Sequence, residues 1–446
     1  MSRTLSASRR RFLKQAGTAA AAAPLVVRNL LSAPASGRVR HASFGAAGMA
    51  GGDMMSFAGH PDVDLVCAAE VDTSRLDLIQ KHLADKKVKI YQDWREMLDK
   101  EGKRLDTVNV GTPDHMHAPM AMSAMQLGLH AYVQKPLAHD IYEVRRLTET
   151  ARQKNLVTQM GIQIHSAAYY RIAVMVIQSG AIGKIKETHS WSSKKWGDLE
   201  PLPQRSDPVP ATLNWDHWLG VCAPRPYLAG YYHPGNWRKR LDFGTGTFGD
   251  MGCHIFDPVY GALALTAPLS VRSEGPKPNA WNWSINSVIH YVFPGTKYTE
   301  GERVAVNWYD GDERPPKDVQ ALLGGKPLPD QGSIFVGAKG AMLLPHIALP
   351  VLLPEKEFQD YKLPRDPGMS HNKQFIDAVL GRTQVSTPFD YSGPLTEAVL
   401  LGGVATRFPR TTLEWDAQTL QFKNLPEANP ILRRPYRQGW EVPGLG

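Results

Sequence analysis

The sequence predicts an α/β domain built on a parallel sheet, followed by an α+β domain with a large, open, mostly antiparallel sheet. Three observations predict it. From residue 38 to residue 160, short apolar strands alternate with amphipathic helices, the pattern of parallel βαβ units. The first of these strands runs straight into a glycine-rich loop, Gly45-Ala-Ala-Gly-Met-Ala-Gly-Gly52. Beyond a helical stretch from Ala168 to Gln178 the alternation stops and strand-like runs follow one another, which indicates a second sheet of the antiparallel kind.

The chain opens on a segment that reads as a targeting leader. Ser8-Arg-Arg-Arg-Phe-Leu-Lys14 has the twin-arginine pattern, Ala16 to Val27 is a weakly apolar run, and Ala33-Pro-Ala35 offers a small-residue cleavage site. Residues 1–35 are therefore expected to be a signal peptide that exports the folded protein, to the periplasm or beyond, through the twin-arginine pathway. The apolar run is too short and too broken to span a bilayer, so no stable membrane insertion is expected. The leader carries six basic residues and no acid, so the formal charge falls from +8 to +2 once it is removed. The basic balance then gives no sign of a nucleic-acid partner. Cys67, Cys222 and Cys253 make neither a disulfide framework nor a zinc spacing, and no metal is expected.

Residues 36–160 read as the first domain. Val39 to Phe44 is a strand, the glycine loop opens a helix, and Asp64 to Glu70 is the second strand. This is the start of a Rossmann dinucleotide-binding unit, in which backbone N–H groups at a helix N-terminus cradle a pyrophosphate. The candidate contacts are Gly45, Ala47, Gly48 and Met49. The match is imperfect, because the three fingerprint positions fall on Gly45, Ala47 and Ala50. A methyl at the second position sits where the backbone should approach the phosphates. His41 and Ser43 are also unusual in a strand buried on both faces. Glu70, at the end of the second strand, stands where a ribose 2′-OH is bound; its charge disfavours a 2′-phosphate, so NAD is expected over NADP. Arg75 nearby leaves some room for NADP.

Two further strands end in chemistry-bearing residues. Leu105 to Val110 leads to Thr112-Pro-Asp-His115-Met-His117, and Leu129 to Val133 leads to Gln134-Lys-Pro136. Ligands of open parallel sheets bind outside the carboxyl ends of the strands, so Thr112, Pro113, His115, Gln134 and Lys135 are candidates for the cofactor site. A lysine held in a cleft suits hydroxyl or proton chemistry, because desolvation penalises its charged form. The stretch alone also fits a surface lysine before a turn.

Residues 161–446 read as the second domain. Its strand-like runs are Lys186–Trp191, Leu269–Ser273, Ser284–Phe293, Val304–Trp308 and Ser333–Val336. Among them lies Gly244-Thr-Gly-Thr-Phe-Gly-Asp250-Met-Gly-Cys-His254, a glycine-rich loop opening a helix. Asp250 and His254 share a helical face, where a carboxylate raises the basicity of an imidazole; the spacing fits a general base and a structural pair equally. The aromatic stretch before it suits a sugar's apolar faces and hydroxyl rim, and His233 and Arg238 are the candidate substrate contacts.

Taken together these motifs resemble the glucose–fructose oxidoreductase / inositol dehydrogenase (Gfo/Idh/MocA) family, from about Arg38 to Trp440. The resemblance rests on Thr112-Pro-Asp-His, on Gln134-Lys-Pro for the family's Glu-Lys-Pro, on Gln159-Met-Gly and on Gly249-Asp-Met-Gly-Cys-His-Ile-Phe-Asp257. Trp308-Tyr-Asp-Gly311, Gly393-Pro-Leu-Thr-Glu397 and Tyr436-Arg-Gln-Gly-Trp440 are similar to its exported bacterial branch. The resemblance implies NAD(P) bound between the domains and an oxidoreductase acting on a sugar, polyol or glycoside hydroxyl, in a homo-oligomer (dimer or tetramer). It implies that Lys135 orients the hydroxyl, His254 takes its proton and Asp250 positions one of them. A nicotinamide enzyme exported already folded is expected to hold its NAD tightly and to recycle it. Two alternatives stand beside oxidation: an NAD-dependent glycoside hydrolase working by transient oxidation and elimination, and a sugar-binding protein without activity. Gln134 removes a charge beside Lys135.

Overall fold

The computed structural model describes residues 37–445, so the twin-arginine segment lies outside the described residues. The first domain runs β1 (Val39–Phe44), α1 (Gly48–Ala58), β2 (Val63–Ala69), α2 (Asp77–His82), β3 (Lys89–Tyr91), α3 (Trp94–Glu101), β4 (Thr107–Val110), α4 (His117–Gln126), β5 (His130–Gln134), α5 (Ile141–Gln153) and β6 (Thr158–Gly161). Its six strands are all parallel, in the order β3-β2-β1-β4-β5-β6. The order reverses between β1 and β4, so a crevice opens above their carboxyl ends.

The polar residues of β1 are explained by a ladder inside the sheet. His41 is fully buried, and its ring nitrogens lie 2.8 Å from Thr107 Oγ1 and 2.8 Å from Asn109 Oδ1 on β4. The Ser43 hydroxyl donates to Gly45 O at 2.7 Å. Buried polar groups are tolerated when they are paired in this way. Burial pushes His41 down to about 4, so it sits in the sheet as a neutral ring.

The second domain continues with α6 (Ala168–Gln178), β7 (Ile185–Ser192), α7 (Trp215–Leu219), α8 (Gly246–Ile255), α9 (Asp257–Leu263), β8 (Ser270–Ser273), β9 (Val288–Pro294), β10 (Arg303–Asp310), α10 (Lys317–Ala321), β11 (Gln331–Gly337), β12 (Ala341–Pro345), β13 (Val351–Leu353), α11 (His371–Val379), α12 (Phe389–Ala405), β14 (Thr412–Asp416) and β15 (Gln421–Phe422). Nine strands form one sheet in the order β13-β12-β11-β7-β10-β9-β8-β14-β15, with β7 and β10 its one parallel pair. Helix α8 is seated on this sheet by aromatic rings. Phe248 lies 4.6 Å from Trp308 between ring centroids, and Phe256 5.7 Å from Tyr291. Such pairs add about 0.5–1.5 kcal/mol each beyond their burial, so the helix is fixed before any ligand binds.

The chain does not stay in the second domain after its sheet. Helix α11 returns to the first domain, where Phe375 and Ile376 pack with Val39, Phe57 and Tyr132. The half-buried Arg434 follows, donating through Nη2 to His115 O at 2.6 Å. The two domains are therefore stitched by late sequence, not merely joined at residue 161.

Candidate active site

The candidate contacts Gly45, Ala47, Gly48 and Met49 all line the cleft, but the glycine spacing differs from the fingerprint positions Gly45, Ala47 and Ala50. Ala47 is the N-cap of α1 with an extended backbone, φ −132°, so its methyl needs no special room. The left-handed conformation falls on Gly45 (φ +93°) and Gly48 (φ +58°). A Cβ on Gly51 would meet Leu78 Cδ1 at 2.6 Å and Ala46 O at 2.7 Å, so this glycine permits the close approach of helix and loop. The working spacing is Gly45, Gly48, Gly51; Ala47 and Ala50 are ordinary residues in it. No side chain caps the N-terminus of α1 and its first turn holds no acid. Its leading N–H groups are left for an anion.

Glu70 closes the β2 end of the same cleft. Its carboxylate accepts from the backbone N–H of Ala46 at 3.0 Å and of Asp72 at 3.1 Å, which ties the glycine loop to the end of β2. Two of its roughly four acceptor positions remain for a ribose hydroxyl. Burial pushes this carboxyl up, against the pull of those two amides.

A segment of the second domain lies over this end of the cleft. Leu213 bridges Asp72, Thr73 N–H donates to Thr212 O at 2.9 Å, and Asn214 N–H donates to Val71 O at 2.9 Å. Further along, His233 Nε2 lies 3.0 Å from Asp72 Oδ2. The candidate substrate contact His233 lines the same cleft and is hydrogen-bonded to Asp72, a pairing the sequence could not supply because the two are 161 residues apart. Burial holds His233 below its ordinary range, so it meets Asp72 as a neutral donor.

The cleft has a volume of about 210 Å³ and runs from Glu70 past Gly48, Thr112 and Gln134 to Lys135 and Asp250. Lys135 Nζ donates to Asp250 Oδ1 at 2.7 Å and to Asp250 O at 2.9 Å. Arg238 Nε donates to the same Oδ1 at 3.1 Å, and its guanidinium carbon lies 4.3 Å above the centre of the Trp237 ring. Burial would raise Asp250, but Lys135 and Arg238 hold it well below the usual carboxylate range. The three predicted residues, Lys135 from one stretch and Arg238 and Asp250 from another more than a hundred residues on, thus meet at one point. The carboxylate of Asp250 is taken by the two cations, so it does not hydrogen-bond His254 as the helical spacing suggested. His254 Nδ1 is buried with no hydrogen-bond partner, and burial together with Lys135 holds the ring well below its ordinary range. It is a neutral base beside a cation.

His115 departs from expectation. It is fully buried, with Nε2 2.9 Å from Trp218 O and its ring 5.0 Å from that of Phe243, behind the wall of the cleft. The neighbouring residues line the cleft in its place. Asp114 accepts from the Thr245 hydroxyl at 2.7 Å, and burial raises it to about 7. His117 stands 2.7 Å from both Pro136 O and Thr112 O; burial presses it down to about 4 against the pull of the two carbonyls. It fixes the two strand ends that carry Thr112 and Lys135. Among the described residues no group of three or more acidic, histidine or cysteine side chains could hold a metal ion, and no helix is long and apolar enough to cross a membrane.

The uncapped helix, the acid at the end of β2 and the length of the cleft fit a dinucleotide such as NAD. Comparison with known proteins agrees. The sequence model described as "Oxidoreductase family, NAD-binding Rossmann fold" matches residues 39–162, and "Oxidoreductase family, C-terminal alpha/beta domain" matches residues 179–442. Levoglucosan dehydrogenase from Pseudarthrobacter phenanthrenivorans is 25% identical over 165 residues, 37% of this chain and 34% of that protein. Alpha-N-acetylgalactosaminidase from Shewanella oneidensis is 28% identical over 92 residues, 21% of this chain and 20% of that protein. The aligned stretches thus span about a third and a fifth of those relatives. The WlbA dehydrogenase from Chromobacterium violaceum, solved with NADH and UDP-GlcNAcA, superposes with a TM-score of 0.61 at 14% identity, covering 86% of this chain and 98% of that one. The chain belongs to the Gfo/Idh/MocA family of NAD-binding oxidoreductases.

Proposed function

We propose that this oxidoreductase acts on a hydroxyl of a sugar, polyol or glycoside, with Lys135, Asp250 and His254 as its reacting groups. The observation that carries the reading is the pairing of Lys135 with Asp250 at one end of the dinucleotide cleft, with a neutral His254 one helical turn beyond Asp250, its Nδ1 without a hydrogen-bond partner and its ring within the field of Lys135. When bound, the nicotinamide supplies a two-electron hydride acceptor. Lys135 donates to the substrate oxygen and stabilises its developing negative charge. His254 accepts the hydroxyl proton, a role open to it because its ring is unprotonated. Asp250 keeps Lys135 and Arg238 aimed at one point, and the remaining donors of Arg238 hold neighbouring hydroxyls. A panel of sugars and glycosides, mixed with the NAD-loaded enzyme, tests this: none turning bound cofactor into its reduced form would defeat it.

The cofactor is held through the cycle and recycled. Support comes from the twin-arginine leader and from the second-domain segment lying over the cleft at Asp72. Denaturing freshly purified protein should release close to one equivalent of NAD; far less, with turnover that needs added NAD, contradicts retention.

A second reading has an observation of its own. Oxidation followed by elimination needs another base to take the neighbouring C–H proton. His346 lies 6.2 Å from His254 between ring centroids, is held by the Tyr170 hydroxyl at 2.8 Å, and is kept neutral by burial at about 4. The Shewanella relative's name makes glycoside hydrolysis the specific product to look for.

A further inference from the structure

Gln134 precedes the active-site lysine, and its side chain is immobilised on every side. Its Oε1 accepts the backbone N–H of Lys135 at 3.3 Å, which turns its Nε2 toward α1. There Nε2 donates to Asp53 Oδ2 at 2.6 Å. On the opposite side a Cβ on residue 161 would stand 2.8 Å from Gln134 Nε2, so only glycine lets the amide lie flat there.

Asp53 is 3% exposed and lies inside a helix, an expensive place for a carboxylate. It accepts two more amide donors, Gln163 Nε2 at 3.3 Å and Asn372 Nδ2 at 3.0 Å. These come from the turn after β6 and from α11, the helix that returns from the end of the chain. Burial raises the Asp53 carboxyl, and the three donors, with no acceptor among them, pull it back toward the ionised form. The titratable group facing it is Tyr132, whose hydroxyl lies 3.2 Å from Gln163 Nε2 and which burial keeps far above its ordinary range. Lys135 is the cation that follows directly on the same strand. Nothing in the packing of α1 requires a charge at this position, and neither dinucleotide cradling nor Asp250 uses it.

We propose that Asp53 is a positioning residue of the active site: it locks the Gln134 amide, and through it Lys135, while placing one fixed negative charge behind the Lys135 end of the cleft. The charge that Gln134 lacks is thus present one layer deeper. It favours the positively charged oxidised nicotinamide over the neutral reduced one. This rests on the reading of Lys135 as the hydroxyl-binding group, but its tests do not need a sugar.

The test compares wild type, Asp53→Asn, Gln134→Glu and the double variant, each as the cofactor-loaded protein. Equilibration with a redox dye gives the ratio of reduced to oxidised bound cofactor. Asp53→Asn should shift it toward the reduced form by about tenfold, the scale of one unit of interaction with a charge. Gln134→Glu should behave like wild type near about pH 6, where one proton is shared and the introduced carboxyl donates to Asp53 as the amide did. Toward about pH 9 the two carboxylates face each other, and the variant alone should lose unfolding temperature. The double variant, in which residue 53 donates to a carboxylate at position 134, restores one charge and should recover the wild-type ratio at both pH values. A ratio unmoved by Asp53→Asn, a Gln134→Glu profile parallel to wild type, or a double variant no better than its singles would each overturn the proposal. Should Asp53→Asn not fold, the pH series of Gln134→Glu and the double variant decide. A wild type that no sugar reduces would instead defeat the substrate reading and leave these measurements standing.

Discussion

Replacing Asp250 by asparagine removes a charge and almost no volume. In the protein its Oδ1 meets Lys135 Nζ at 2.7 Å and Arg238 Nε at 3.1 Å, with the side chains of Lys135 and Asp250 only 11% and 14% exposed. The variant leaves two cations side by side. Removing one partner of a buried pair costs about 3–5 kcal/mol. Lys135 keeps Asp250 O at 2.9 Å and Arg238 is more exposed, so the lower end, about 3 kcal/mol, is expected. For a chain of this size that is a fall of about 5 °C in unfolding temperature. The lysine loses its aim as well, and turnover should fall by about 10²–10³-fold. The sign with pH follows from the same pair. Asp250 is held well below the carboxylate range, so its contribution is present above the unfolded value of about 3.8 and is lost as pH falls below it. Differential scanning calorimetry from neutral to acid pH, with turnover on any active sugar, measures both effects. A variant that unfolds with wild type and turns over at the wild-type rate would refute the Lys135–Asp250–Arg238 account.

His254→Asn should lower turnover by about 10²–10⁴-fold with cofactor binding intact. Because the ring is already neutral, the wild-type profile should show no loss near the ordinary histidine range; a His254-dependent acid limb there would contradict the assignment. His233→Ala cuts the link to Asp72, and release of bound NADH, followed by its fluorescence, should speed up by about tenfold with the sugar KM unchanged. An altered KM with unaltered release would return His233 to the substrate. Burial pushes His41, His117 and His371 down to about 4, so the unfolded chain takes up protons that the folded one refuses. Stability present above about pH 6.5 should therefore drain away toward about pH 4, by about 1.4 kcal/mol per pH unit for each ring. His41→Gln should shallow that slope, and an unchanged slope would remove His41 from the set.

Most of the first domain was legible because β1, β2, β4 and β5 lead into recognisable chemical residues and α5 carries one apolar stripe. Asp250 and Lys135 were found from short motifs, although nothing in either motif says that they touch. The glycine spacing was misjudged because the φ > 0 position is a property of the turn: Gly48 and Ala47 are interchangeable in a pattern but not in backbone conformation. His115 and His117 are two residues apart and face opposite sides of one turn, which spacing cannot resolve. The strand at Lys89–Tyr91 and the small strands β12 to β15 were missed because they are short and carry weak alternation. Asp53, Asn372 and Arg434 were invisible because their roles depend on contacts hundreds of residues away.

The most direct test of the central claim is a single turnover. The NAD-loaded enzyme is mixed with sugars and glycosides while absorbance at the reduced-nicotinamide band is followed. Wild type should show a rise with one substrate class, and Lys135→Ala, with cofactor still bound, should slow that rise by about 10²-fold or more. A Lys135→Ala protein that reduces its cofactor at the wild-type rate would contradict the account.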